Sequence, residues 1–137
     1  MMNFINYLPK IFPNLGIDSQ IILNSTANTL FVNSISICNR SVNDIRINLI
    51  KKITGSDLSV NEGFIVENLK INSATSQELH SKSTINLVSY FGLTIFLPVF
   101  TEDSITYTTE LICHSNGVNQ KFDCTVDYTT FLETPIV

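Results

Sequence analysis

The feature that most constrains this chain is its supply of β-branched side chains. Isoleucine, valine and threonine make up 41 of its 137 residues, whereas alanine occurs twice. Branching at Cβ removes rotamer freedom on a helix and packs well on a pleated sheet. Apolar residues are 44% of the chain and charged residues 15%, a balance that excludes a disordered tail or a coiled coil. We therefore predict an all-β fold, and the length suits one domain with one core.

From residue 19 onwards, apolar segments alternate with turn-forming residues at short intervals, which is typical of a sandwich or a barrel. The polar segment 52–63 is the longest predicted connection. We expect an antiparallel β-sandwich, jelly-roll or immunoglobulin-like, of about eight strands over residues 19–137. The predicted strands before the last pair are 19–24, 29–38, 44–51, 64–69, 71–79, 83–88 and 92–97.

Residues 1–18 differ from the rest and are predicted to form an extended N-terminal arm. Pro9 and Pro13 prevent a regular helix, although apolar side chains recur at spacings of three and four. Two interpretations stay open: the arm covers the open end of its own domain, or it docks into a neighbouring subunit. The second makes six residues a predicted assembly interface: Phe4, Tyr7, Leu8, Ile11, Phe12 and Leu15.

The last two strands are predicted to form a hairpin, because Asn116-Gly117 is the strongest short hairpin signal in the sequence. With these two residues as the turn, Leu111 faces Phe122 and Thr109 faces Cys124. Apolar side chains then collect on one face of the hairpin, whereas the other face is mostly polar. A slip of one residue would mix the two faces.

Few residues of this chain are candidates for catalysis, phosphate binding or metal binding. The histidines, His80 and His114, lie in no catalytic motif, and the glycines form no phosphate-binding loop. The cysteines, Cys38, Cys113 and Cys124, have no metal-ligand spacing and are interpreted as buried reduced thiols. The hairpin register separates Cys113 from Cys124, so it predicts no disulfide between them.

The same register sets Glu110 opposite Asp123. Two carboxylates could mark a weak cation site, but we prefer surface charge pairing with the nearby Lys121. We therefore predict no catalytic residue, no cofactor and no metal site, and we expect a protein that is not an enzyme.

Charge and hydropathy limit the partners. The net charge is −4, and residues 61–137 hold nine of the twelve acidic groups, so no basic patch favours nucleic acid. The most apolar run, residues 90–100, is too short to span a bilayer. The N-terminus has no basic leader and makes a poor signal peptide, which favours synthesis in the cytoplasm.

Three stretches carry a resemblance that covers about residues 19–130: an apolar strand at 29–39 ending in Ile-Cys-Asn, a strand at 64–71, and Glu102–Ile105 followed by the Asn-Gly turn and Val126-Asp127-Tyr128. They resemble the small β-sandwich virion proteins of tailed bacteriophages. This chain departs from their pattern at two turns, with Asn72-Ser73-Ala74 where Pro-Ala is typical and Glu102-Asp103 in place of Gly-Asp.

The resemblance implies a structural part of a virion, either a head decoration protein or a neck or tail accessory protein, made in the host cytoplasm. Its expected partners are copies of itself and other virion proteins, met through the arm and the sheet edges, with no nucleic acid and no membrane. The alternative is a receptor- or carbohydrate-binding sandwich module, in which the loops 52–63 and 80–92 would carry the site.

Overall fold

The protein is a two-layer β-sandwich, as the sequence predicted. The computed structural model describes residues 2–6, 8–73, 84–88, 92 and 94–133. These residues form eleven strands in two sheets, rather than about eight, and every pair of neighbouring strands is antiparallel.

One layer is a six-stranded sheet around two central strands, β4 and β11. β11 pairs with β4 on one side and with β1 and β2 on the other, and β4 also pairs with β7 and β8. The strands of this sheet are β1 (Met2–Asn6), β2 (Lys10–Leu15), β4 (Leu30–Asn39), β7 (Thr84–Asn86), β8 (Ile95–Leu97) and β11 (Phe122–Glu133).

The other layer is a five-stranded sheet in the order β3-β10-β5-β6, with β9 added to β10. Its strands are β3 (Gln20–Ser25), β5 (Ile45–Gly55), β6 (Val60–Ile71), β9 (Phe100–Glu102) and β10 (Ile105–Ser115). The predicted connection 52–63 is therefore the end of β5, a short turn and the start of β6. β9 was missed, because a strand of three residues gives almost no periodic signal.

The core lies between the sheets, and its side chains mostly alternate along the longer strands, whereas the adjacent Ile22 and Leu23 are both buried where the pairing of β3 shifts register. The largest fully buried side chains are aliphatic except for Phe122. They come from both layers and are Ile22, Leu23, Ile35, Ile37, Ile45, Ile47, Leu49, Leu87, Leu97, Leu111, Phe122 and Val126. On β10 and β11, the alternation of apolar residues predicted which face is buried.

The predicted hairpin of the last two strands is wrong in its pairing. β10 belongs to the five-stranded sheet and β11 to the six-stranded sheet, so segment 116–121 crosses from one layer to the other. The predicted apolar face is nevertheless buried, since Leu111, Thr109, Phe122 and Cys124 all point into the core. Two strands of opposite sheets bury their apolar faces against each other just as two strands of one sheet share a face, and periodicity cannot separate the cases.

The predicted arm forms two strands along β11 of its own chain, β1 at one end and β2 at the other. Pro13 fits there because β2 is an edge strand. Pro13 and Asn14 stand opposite Asp123 alone, which makes a bulge, and Asn14 takes the left-handed conformation with φ 57°. The Asn14 amide donates to Asp123 Oδ1 at 2.8 Å, so that carboxylate holds the bulge.

Two predicted features lie wholly or partly outside the described residues. The predicted strand 71–79 extends beyond residue 73, and most of the predicted loop 80–92 is not described either, including His80.

Candidate functional site

The six predicted interface residues of the arm fall into different environments. Phe4 is on β1, where its backbone lies opposite Phe131, and Tyr7 is outside the described residues. Phe12 and Leu15 are partly buried against the core. Leu8 and Ile11 are 88% and 69% exposed. The backbone of the arm thus completes its own domain, and the docking of these side chains into a neighbouring subunit stays a prediction.

A groove of about 320 Å³ runs along one side of the sandwich, where the edge strands β2 and β3 of the two sheets lie next to each other. Its exposed rims are apolar, with Ile11 on β2 and Ile21, which is 44% exposed, on β3. Its lining is Lys10, Ile11, Phe12, Ile21, Ile22, Leu23 and Asn24.

A row of apolar side chains crosses the outer face of the five-stranded sheet. The strand registers pair Ile21 with Ile112, Ile112 with Ile50, and Ile50 with Phe64. Directly opposed residues point to the same side of a sheet, and the neighbours Leu111 and Cys113 are fully buried on the inner side. The four residues Ile21, Ile112, Ile50 and Phe64, called the apolar row below, therefore face outwards. Phe64 is 54% exposed, and beside it lies a shallow depression of about 150 Å³.

A second row runs next to the apolar row and alternates in charge. The same registers pair Asn24 with Glu110, Glu110 with Lys52, and Lys52 with Glu62. Glu110, Lys52 and Glu62, called the charged row below, make no hydrogen bond or ion pair with any residue that the structure describes. The outer face thus presents apolar surface next to charged groups that make no ion pair or hydrogen bond with a described residue of the same chain.

Beyond the apolar row, the same face ends in a cluster of asparagines. Asn48 Nδ2 donates to Asn116 Oδ1, and Asn116 Nδ2 donates to Asn68 Oδ1 at 2.6 Å. The backbone amide of Asn68 donates to Asn48 Oδ1 at 2.8 Å. Asn68 has φ 56° at an irregularity of β6, so the cluster stabilises that bulge and ties segment 116–121 to the sheet.

On the outer face of the six-stranded sheet, described polar side chains of neighbouring strands hydrogen-bond to each other. Ser34 Oγ donates to Asp127 Oδ2 at 2.8 Å, and Asn33 Nδ2 donates to Thr129 Oγ1 at 2.6 Å. Each contact links β4 to β11. Lys10 Nζ lies 5.6 Å from the centre of the Tyr128 ring. Phe96, on β8 of the same sheet, is 44% exposed and adds an apolar ring to the surface.

The predicted juxtaposition of Glu110 and Asp123 does not occur, because their strands belong to different sheets. Asp123 accepts from Arg40 Nη1 at 3.1 Å in addition to the Asn14 amide. Among the described residues, no three histidine, cysteine or acidic side chains come together as metal ligands. His114 lies on β10, where its Nδ1 is 2.8 Å from the carbonyl oxygen of Ser115.

Two of the three thiols are buried in the core. Burial raises the pKa of Cys124 to about 12, and it raises the pKa of Cys113 well above its usual value, with a further contribution from Cys124. Both side chains are therefore protonated thiols at neutral pH. All three cysteines are free. The expected absence of a disulfide was argued from the wrong register, since Cys113 and Cys124 face the core from opposite sheets.

The described part of the chain has no helix long and apolar enough to cross a membrane.

Comparisons with known proteins add little to this geometry. No protein-family model and no curated protein matches the sequence. One solved structure, titled "Structure of infectious bursal disease virus Gt strain", is similar over 97% of this chain with 11% sequence identity and a TM-score of 0.45. This chain spans 33% of the length of that chain. At that TM-score the likeness supports no assignment of function, and the sandwich fold rests on the strands described above.

Proposed function

We propose that this protein is a structural component of a virion, present in many copies, that acts by contacting other proteins and catalyses no reaction. The finer form of the proposal is a head decoration protein or a neck or tail accessory protein of a tailed bacteriophage. The sequence resemblance of the strand and turn residues supports that form, and the sandwich predicted together with it is the fold of the chain.

The observation that carries the proposal is the groove with apolar rims between β2 and β3. Ile11 and Ile21 are exposed on its two rims, and Leu8 is exposed just before β2. Burying such side chains against a partner removes apolar surface from water, which is the main driving force of association. The outer edge of β6, which pairs only with β5 among the described strands, adds backbone groups that a neighbouring strand could meet.

Several of the described titratable groups have structural contacts. Asp123 holds a bulge and an arginine, and Asp44 accepts from Lys70 at 3.4 Å and from the Ser73 amide. The pKa of Asp44 is lowered, mainly by that amide. The buried thiols of Cys113 and Cys124 are held protonated, which makes them poor nucleophiles. This supports a protein that is not an enzyme.

The receptor- or carbohydrate-binding alternative gains no specific support. One of its two expected loops, 52–63, is mostly strand and has a turn of only four residues, 56–59. The polar side chains of that turn bond to each other, since Asp57 Oδ1 accepts from the amide and the hydroxyl of Ser59.

The test is to purify particles on a density gradient from cultures that produce this chain and to quantify it in the particle fraction by peptide mass spectrometry. We expect tens of copies or more per particle. Recovery only in the particle-free fraction would contradict the proposal.

A variant set shows whether the groove makes the contact. Leu8→Ser with Ile11→Ser should leave the fold intact, because both side chains are exposed, and should reduce the copies per particle. Val42→Ser, at an exposed apolar residue away from the groove, is the matched control and should be incorporated normally.

A further inference from the structure

We infer that the outer face of the five-stranded sheet binds a second copy of this chain, across a twofold axis that runs parallel to the strands between β10 and β5. The inference rests on the proposed function in one respect: it names a contact through which copies of an assembling protein meet. Its evidence, however, is the pattern of the apolar row and the charged row.

The apolar row is self-complementary under this axis. The rotation places β10 of one copy over β5 of the other, and β3 over β6, without moving residues along the strand direction. Ile112 then faces Ile50 of the second copy, and Ile21 faces Phe64 of the second copy. Each pair occurs twice. The shallow depression beside Phe64 lies where the axis brings Ile21.

The charged row is self-complementary under the same axis. Glu110 faces Lys52 of the second copy, and Lys52 faces Glu110 of the second copy, so two ion pairs form. A twofold axis across the strands instead of along them would set Lys52 against the neutral Asn48 of the second copy. Because Lys52 and Glu110 have no ion pair within the described part of their own chain, both charges are available to the second copy.

A second copy fits this face better than a partner of uniform charge would. The charges alternate as Glu110, Lys52 and Glu62, so a basic surface would meet an unneutralised lysine and an acidic surface two carboxylates. The four strands, about 4.8 Å apart, and about seven residues along each give roughly 450 Å² per copy. That is below the size of a standard stable interface, so the contact should be a reversible dimer that many copies in one particle would reinforce.

The experiment exchanges the charges between two variants of the full chain, Lys52→Glu and Glu110→Lys. Sedimentation velocity over a concentration series measures self-association of each variant alone and of an equimolar mixture. Each variant alone should associate at least about tenfold more weakly than wild type, because like charges now face each other across the axis.

The equimolar mixture should return to wild-type affinity. In a mixed dimer, the glutamate introduced in one variant faces the lysine introduced in the other, and the retained Glu110 of the first faces the retained Lys52 of the second. Mixing cannot restore a pair within one chain, so recovery reports the contact between copies.

Several results would overturn the inference. A wild-type chain that stays monomeric up to millimolar concentration has no such interface. Variants that associate like wild type, or a mixture that does not recover, would rule out this axis. If a charge-reversal variant does not fold, Phe64→Ser tests the apolar row instead. Unchanged self-association of this variant would contradict the inference. Recovery in the mixture together with absence from particles would leave this contact standing and remove the virion role instead.

Discussion

The described side chains on the outer faces of the two sheets differ in whether their polar groups find partners within the chain. On the six-stranded sheet, Ser34 bonds to Asp127 and Asn33 bonds to Thr129, so that polar groups satisfy each other within the chain. On the five-stranded sheet, the apolar row is left in contact with solvent, and the charged row next to it has no partner among the described residues. A face that satisfies itself contributes to the fold, whereas a face left unsatisfied is available for assembly. On this difference rests our proposal that the five-stranded sheet contacts other copies of the chain.

The largest effect should come from two neighbours on β10 that point to opposite sides. Leu111 is fully buried and Ile112 is partly exposed. Leu111→Ala should lower the free energy of unfolding by about 2–5 kcal/mol, because it leaves a cavity in the core. Ile112→Ser should cost about 1 kcal/mol or less in the monomer and should weaken self-association. Urea denaturation measures the loss of stability, and sedimentation measures self-association. Equal losses of stability in the two variants would show that Ile112 is as important to the core as Leu111.

Alkaline pH should destabilise the fold through the inner face of both sheets. The folded pKa of Cys124 is raised to about 12 from an ordinary value of 9.0, and that of Cys113 is raised as well. A raised folded pKa means that the stability is fully present below pH 9 and is lost as pH rises from about 9 towards 12, by up to about 1.4 kcal/mol per pH unit per thiol. Urea denaturation between about pH 8 and about pH 10.5 measures the slope. Cys124→Ala should make it shallower, and an unchanged slope would show that this thiol is not its source.

Loss of a carboxylate should lower the free energy of unfolding on the six-stranded sheet but hardly change it on the five-stranded sheet. Asp123→Ala removes the acceptor of the Asn14 amide and of Arg40, and should cost about 2 kcal/mol. Asp123→Asn retains an acceptor oxygen and should cost less. Glu110→Ala is the matched change on the other sheet and should alter stability by about 0.5 kcal/mol or less. Thermal denaturation of the three variants checks this order, and a Glu110→Ala loss as large as that of Asp123→Ala would contradict it.

The smallest effect on stability should come from the exposed end of the apolar row. Phe64→Ser should change the free energy of unfolding by within about 0.5 kcal/mol, because the ring is more than half exposed in the monomer. Its self-association should nevertheless weaken. Val118→Ser, at another exposed apolar residue, is the control and should change neither quantity. A large loss of stability in Phe64→Ser would show that the ring belongs to the core.

The sequence predicted the fold class and the buried faces, but it did not predict which strands pair. Alternation along β10 and β11 placed Leu111 and Phe122 inside correctly, because the period of a strand depends only on its own two faces. The Asn116-Gly117 signal suggested a hairpin, yet the connection crosses between sheets, since a turn signal does not specify the sheet of the next strand. The arm was predicted as extended, while its pairing with β11 depends on contacts more than one hundred residues away.

The apolar row on the five-stranded sheet could not be predicted from the sequence either, because the sequence does not show which strands pair. Each strand contributes a single member to the apolar row, and Ile112 on its own is one apolar residue on a mostly polar face. Only the registers of four strands together bring it beside Ile21 and Ile50. The sequence grouped Leu8 and Ile11 with four other apolar residues of the arm and did not distinguish these two exposed side chains from Phe12 and Leu15, which pack against the core.

The most direct test of the claim that copies of this chain meet through the five-stranded sheet is the absolute mass of the purified protein over a concentration series. We predict that light scattering gives the mass of a single 15.3 kDa chain at low concentration, rises towards twice that value as concentration increases, and loses the rise in Ile112→Ser. A wild-type mass that stays at one chain at every concentration, or a rise that Ile112→Ser leaves unchanged, would contradict the account.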